Sequence, residues 1–415
     1  MIKMYCKPFQ LLVIAPITNK FYQILINRIK NYSFALLGFS IPISISLTYI
    51  TLFLLLVLFI LDKDYQKIKF LKTEKWLLAL LLIFVLYILG SIDGQFSQNT
   101  KEVFNSLSVW LFLPILFLMD LKKESYSRGI FAFLASVFLM VIMSVLNQLG
   151  VTAHIFEYFP SLFKNSHPLA LYPSTHLYNY HNILVSFSLI ICFYLTKKLA
   201  GPKIYLLILF ITLLIFGLFS EAGRAGQIVF ILFLTLLSIG SAINKKRESI
   251  YMIFFLIVTL FISYNYSPNF NYRVNELVLK FQSAEKNNDN RYNFWKSTLN
   301  KICEKPSKNL MGHGTGSWRS EMNESFDYFN LIDENHKTPH NNYLYIFFEI
   351  GVLGFIVLCY FFYAMYCKLK TKAHKFFSRN LVVSYTALML FDSYMLIFII
   401  SIAYIYLFTI SVNYE

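Results

Sequence analysis

A histidine and an asparagine stand where the longest polar segment of the chain meets a long apolar run, in Lys337-Thr338-Pro339-His340-Asn341-Asn342-Tyr343-Leu344. A neutral imidazole titrates near pH 6.5, so His340 at the mouth of a membrane span can accept a proton without special tuning. Nine residues separate Asn341 from Gly351, with Gly354 three further on; residues this small would let a neighbouring helix approach closely. Arg224, in Glu221-Ala222-Gly223-Arg224-Ala225-Gly226, falls where one apolar run ends and the next begins. A charge there is costly unless it is paired or faces a wet cavity, and the NH groups opening the next helix would also attract an anion. A snorkelling anchor at the interface is the plainer alternative. Arg291 opens Arg291-Tyr292-Asn293-Phe294-Trp295-Lys296, and taken alone it reads as a solvated charge. His181-Asn182 begins an apolar run as His340-Asn341 does, which makes His181 a further candidate for lining the same cavity. Of the other histidines, His154, His167, His176, His313 and His336 are expected on the outer side and have no metal-ligand spacing. Gly312-His313-Gly314-Thr315-Gly316 lacks the Lys-Ser/Thr ending and preceding strand of a nucleotide loop, and is expected to be a structural turn.

The elements that position these groups follow from composition. Of 415 residues, 57% are hydrophobic and 14% charged, against about a quarter charged in soluble domains. This is the composition of a membrane protein. The net charge of +15 lies in short loops between apolar runs, so it reports topology and excludes a nucleic-acid partner. Five cysteines, at 6, 192, 303, 359 and 367, form no C-x-x-C pair; neither a disulfide nor a metal site is expected. The basic N-terminus, with Lys3, Lys7 and Lys20, lacks the pattern of a cleaved signal peptide.

Residues 1–32 are expected on the cytoplasmic side or at the interface. The run from Phe34 to Leu61 exceeds the ~20 residues of one span and is broken near Pro42, which predicts two short, tightly turned spans. Further spans are predicted at 76–90, 106–120, 129–147, 180–196, 204–220, 226–243, 250–265, 342–366, 379–393 and 395–412. Basic clusters fall in every second loop, which favours twelve spans, both ends cytoplasmic and the long polar loop outside. The predicted fold is an all-α polytopic membrane protein of about 12 transmembrane helices. Its parts are a region 1–265 with spans 1 to 9, a helical periplasmic loop cap 266–340, and a region 341–415 with spans 10 to 12. Within the loop, 273–283 and 291–304 place apolar residues at helical spacing, Phe294, Trp295, Leu299 and Ile302 among them.

Together these features resemble the O-antigen ligase and polymerase superfamily of bacterial envelope glycosyltransferases. The family pattern H-[NSQ]-x9-G-x-x-G is matched by His340, Asn341, Gly351 and Gly354. Its arginine motif resembles Arg224-Ala225-Gly226, with Ile228 where the ligase motif usually has Leu. Its loop signature resembles Arg291, Trp295-Lys296, Pro306 and Gly312 to Gly316. The resemblance implies an inverting transfer of glycan from undecaprenyl pyrophosphate to a sugar hydroxyl of lipid A-core, in the bacterial inner membrane with the site facing the periplasm. No cofactor, metal or nucleotide is implied. His340 would be the base, Arg224 and Arg291 would clamp pyrophosphate, and Asn341 and His181 would contact substrate. A polymerase joining lipid-linked repeats is the alternative within the superfamily. Twelve spans and one large late loop favour the ligase, since polymerases more often show about fourteen spans and two comparable outer loops. A transporter would require broken helices or charges at mid-membrane and a detectable repeat, and the sequence has neither.

Overall fold

The apolar runs of this sequence satisfy their backbone hydrogen bonds as α-helices, which a lipid environment demands; no strand occurs among the described residues. The computed structural model describes residues 20–93, 97–148, 178–196, 199, 201–221, 223–243, 248–266, 270–272, 274–275, 278, 290–328, 337–369 and 375–414. His154, His167, His176, His336, most of 273–283 and residues 1–19 lie outside them. The helices are α1 (Lys20–Ile43), α2 (Ile45–Leu61), α3 (Lys75–Asp93), α4 (Gln98–Leu107), α5 (Phe112–Leu118), α6 (Lys123–Gln148), α7 (Tyr178–Leu195), α8 (Pro202–Ser220), α9 (Arg224–Ile243) and α10 (Glu248–Tyr266). They continue as α11 (Asn290–Glu304), α12 (Ser317–Tyr328), α13 (Asn342–Lys368), α14 (Lys375–Leu388) and α15 (Phe398–Asn413).

Five stretches are long and apolar enough to cross a membrane: Lys75–Ile92, Gln98–Leu118, Lys123–Leu146, Pro202–Ser220 and Asn342–Lys368. Shorter apolar helices include Ile45–Leu61, Tyr180–Leu195, Arg224–Ile239 and Phe398–Asn413. On α3 and α8 the outer faces leave Leu78, Leu81, Tyr205, Leu206 and Phe216 exposed. Such a belt is unfavourable against water but natural against acyl chains. The chain is a multi-pass membrane protein. The helix α15 is apolar all round and buried from Ile399 to Val412, as a central helix must be. Where it crosses α1 and α6, Gly38 and Gly129 let the backbones close in around the Tyr406 phenol, which donates to the Phe34 carbonyl at 3.1 Å.

Three boundaries differ from expectation. The first apolar run does break near Pro42, with Ser44 capping α2 through the Leu47 amide, but α1 begins at Lys20 rather than Phe34. Residues 20–32 are thus the first turns of α1, and although Tyr22, Ile24, Leu25 and Tyr32 are exposed, the Lys30 side chain is fully buried, bonded to Asp62 and, at 2.9 Å, to Asp64. The predicted span 106–120 is instead α4, a 3-10 turn Ser108–Leu111 and α5. The predicted span 379–393 ends at Leu388, and the chain turns through 389–397 before α15. That turn carries part of the site.

Candidate functional site

His340 has φ of 53°, a left-handed conformation that non-glycine residues adopt at a cost and that clusters at functional positions. The turn swings the imidazole away from α13, whose first turn is capped by the next residue: the Asn341 side-chain oxygen accepts from the Leu344 amide at 3.0 Å. The His340 Nδ1 lies 2.9 Å from Oδ1 of Asp392, which also accepts the Ser393 amide at 2.7 Å. A carboxylate at Nδ1 selects the tautomer that donates there, leaving Nε2 as the proton acceptor. Asp392 is held by the 389–397 turn. The Asn342 amide donates to the Met389 carbonyl at 2.8 Å, and its side-chain oxygen accepts the Met395 amide at 2.9 Å. The Trp110 indole, buried deep in the bundle, donates to the Met395 carbonyl at 2.9 Å.

Arg291 stands in the first turn of α11 and is exposed. Its charge, like that of Asp392, is felt at the buried Tyr394 phenol, so Arg291 and the carboxylate that holds His340 act on one group. α11 is anchored over His340 from both sides. The Trp295 indole donates to the Pro339 carbonyl at 2.8 Å, and the Phe294 ring lies 6.0 Å from the His340 ring. Of the predicted apolar face, Phe294 and Ile302 are buried and Trp295 is partly so, but Leu299 points outward. Its expected place is taken by Thr298, which accepts from the Trp318 indole of α12 at 2.9 Å.

The glycine turn is structural, as expected, and its partner is unusual. α13 is broken at Ile350 and Gly351, where Gly351 takes φ of 71°. Into this break the turn inserts its backbone: the amides of His313 and Gly314 donate to the carbonyls of Phe348 and Glu349 at 2.8 and 3.0 Å. The Val352 amide returns a bond to the Asn309 carbonyl at 2.8 Å. A side chain at Gly351 would collide with Leu310 and Gly312. The element that approaches Gly351 is therefore a loop backbone and not the helix that its spacing with Gly354 suggested. Glu349, fully buried, accepts the Gly316 and Trp318 amides at 2.8 and 3.3 Å and so caps α12.

Arg224 is half-exposed at the first residue of α9. The turn before it is fixed by two amides: Asn182 donates to the Gly223 and Leu218 carbonyls at 2.6 and 3.1 Å, and Gln227 to those of Leu218 and Glu221, both at 3.1 Å. Gly226 lies inside α9 against the Asn182 backbone, where a side chain would clash. His181 is buried, its Nδ1 3.0 Å from Asn182 Oδ1, and it feels the Glu221 charge. Its neighbour Tyr180 feels Asp392. The structure thus links Arg291 to His340 through Tyr394 and Asp392, with Arg224 and His181 forming a second group beside Asn182, whose neighbour Tyr180 feels Asp392. Asp392 escaped sequence reasoning because it closed a predicted span. An acid at the end of an apolar run is nonetheless a functional signal by default.

Residues 207–359 match a family model described as O-antigen ligase. The matched stretch holds Arg224, Arg291, His340 and Asn341, while His181 and Asp392 lie outside it. No curated protein matches the chain. The match supports the resemblance to the O-antigen ligase and polymerase superfamily, and with it a membrane glycosyltransferase acting on lipid-linked glycan.

Proposed function

We propose that this membrane glycosyltransferase is an O-antigen ligase, which moves polysaccharide from undecaprenyl pyrophosphate to a sugar hydroxyl of lipid A-core. In this reading twelve spans cross the bacterial inner membrane and residues 266–340 cap a periplasmic site. The observation that carries it is the His340–Asp392 pair, with Arg291 and Asp392 both felt at the Tyr394 phenol. His340 Nε2 takes the proton of the attacking hydroxyl while that oxygen bonds to the anomeric carbon. The anomeric C–O bond breaks on the opposite face, so configuration inverts, and undecaprenyl pyrophosphate leaves with the electron pair. Arg291 and Arg224 receive the developing charge through planar, two-pronged donors. Asp392 steadies the imidazolium, as a carboxylate does in other acid-base pairs. Asn341 and His181 border the path of the substrate as contact residues, neither cofactor nor nucleotide taking part.

The test is transfer by purified protein in lipid nanodiscs, from undecaprenyl-pyrophosphate glycan to rough lipopolysaccharide. The parent is expected to yield core-linked ladders with EDTA present. His340→Ala should give none, and Arg291→Ala should be about 10²-fold slower. Elongation of the lipid-linked glycan without core-linked product would replace the ligase with the polymerase. Full activity of His340→Ala would end the base assignment.

A further inference from the structure

A hollow opens beside the 389–397 turn. It has a volume of about 320 Å³ and lies between α4, the start of α12 and the segment leading to His340, at the low end of the ~300–1,000 Å³ typical of small-ligand sites. Leu396 lines it, while the buried Tyr394, two residues earlier, feels the charges of Arg291 and Asp392. Thr338 lines it as well, two residues before His340. The 389–397 turn therefore reaches both the hollow and the phenol that feels Arg291, and the segment that lines the hollow leads into His340.

Its chemistry is unlike that of the arginine side. Lys337 and Glu102 close an ion pair across the wall at 2.7 Å. Arg319 and Glu349 also reach the lining, but both Glu349 oxygens are already taken up by backbone amides. The formal charges of the lining, two acids and two bases, balance, in contrast to the two arginines offered to the donor. What it presents are short amides and hydroxyls, Asn99, Asn105, Ser106 and Thr338. Each of these can donate and accept, which is the pattern that matches vicinal sugar hydroxyls.

We infer that this hollow is the subsite for the uncharged acceptor sugar, which it holds with a hydroxyl directed at His340 while the donor lies on the arginine side. The inference rests on the reading that His340 takes a proton from an acceptor. Glu102 and Lys337 act as positioning residues: their pair ties α4 to the chain three residues before the histidine. A sugar hydroxyl bonded to Glu102 is thereby linked to the placement of the base.

The experiment measures binding without turnover, using calorimetry on the full chain in nanodiscs. The probes are a dephosphorylated core oligosaccharide and the same oligosaccharide with its phosphates. Asn105 is exposed, so Asn105→Trp fills the hollow with little effect on folding; Ser106→Phe is a second filling variant and Glu102→Gln a milder one. The parent and His340→Ala are expected to bind the dephosphorylated probe equally. The filling variants should weaken it about tenfold or more and Glu102→Gln several-fold, each tenfold being about 1.4 kcal/mol. Unchanged binding in both filling variants would overturn the subsite, as would no binding by the parent or binding only of the phosphorylated probe. A transfer-active His340→Ala would instead end the reading of the base and leave the binding result standing. The two failures are therefore distinct.

Discussion

At the scale of single residues, the site turns on how an ordinary imidazole is given a direction. His340 in a left-handed conformation is held by one carboxylate oxygen that itself accepts a backbone amide. Ring orientation and tautomer are thus set together. Asp392→Asn keeps an acceptor at that place but removes the charge that balances the imidazolium. It is expected to lower kcat about 10²–10³-fold with KM for donor little changed. Asp392→Glu should recover part of the loss, an outcome that a merely structural role for Asp392 would not give. Single-turnover transfer rates check both. Much of this was legible beforehand, since a histidine at a polar-apolar seam and an arginine opening an amphipathic helix are local facts of spacing. Asp392 was not, because its role depends on where the preceding helix stops. Composition made 379–393 one apolar span, whereas the Asn342 and Trp110 hydrogen bonds to the following turn favour an earlier end.

At the scale of elements, the broken α13 is the feature that sequence could not disclose. Gly-x-x-Gly at helical spacing looks the same whether a helix or a loop lies against it, and only the partner decides. Here the partner is the 309–316 turn, steadied by a histidine-carboxylate pair. The His313 Nδ1 lies 3.0 Å from Glu321, and the His313 ring stacks on Phe348 at 4.1 Å. Burial pushes His313 below its ordinary value; the Glu321 hydrogen bond opposes this, and Lys305 and Lys308 add to it. Burial would raise Glu321, but the His313 hydrogen bond and the Lys305 ammonium leave it lowered. Both folded-state values are depressed, so in each case the unfolded segment binds the proton first. The stabilisation is full above the ordinary values and is lost as pH falls through the folded ones. Attachment of the turn should therefore weaken from pH 7 towards pH 4. Amide hydrogen exchange over 305–321 is expected to quicken across that range after correction for intrinsic rates. In His313→Gln the part of the change near pH 6 should disappear.

At the scale of the whole molecule, composition specified a helical membrane protein and loop charge suggested its alternation, but neither revealed what closes each end of the bundle. Opposite the site, the buried Lys30 is held by Asp62 and Asp64, while Lys67 bonds Asp64 at 3.0 Å and Asp120 at 3.2 Å. The 3-10 segment Asp64–Thr73 is thereby tied to α1 and to the chain between α5 and α6. Lys30→Met should destabilise the fold by about 3 kcal/mol, because it strands buried carboxylates. Adding Asp62→Asn and Asp64→Asn should restore much of the loss in reversible unfolding from mixed micelles. A basic residue in a region read as interfacial hid this cluster, since burial of Lys30 depends on residues more than thirty positions away. The central position of α15 has a consequence for biosynthesis. The helix buried on every face is translated after α1, α5, α6, α7 and α14, all of which it touches. Until it emerges, those helices have been inserted around a place that nothing yet fills, and lipid or a neighbouring helix must occupy it. Assembly of the bundle is thus a late event, completed when one apolar helix displaces whatever kept its place.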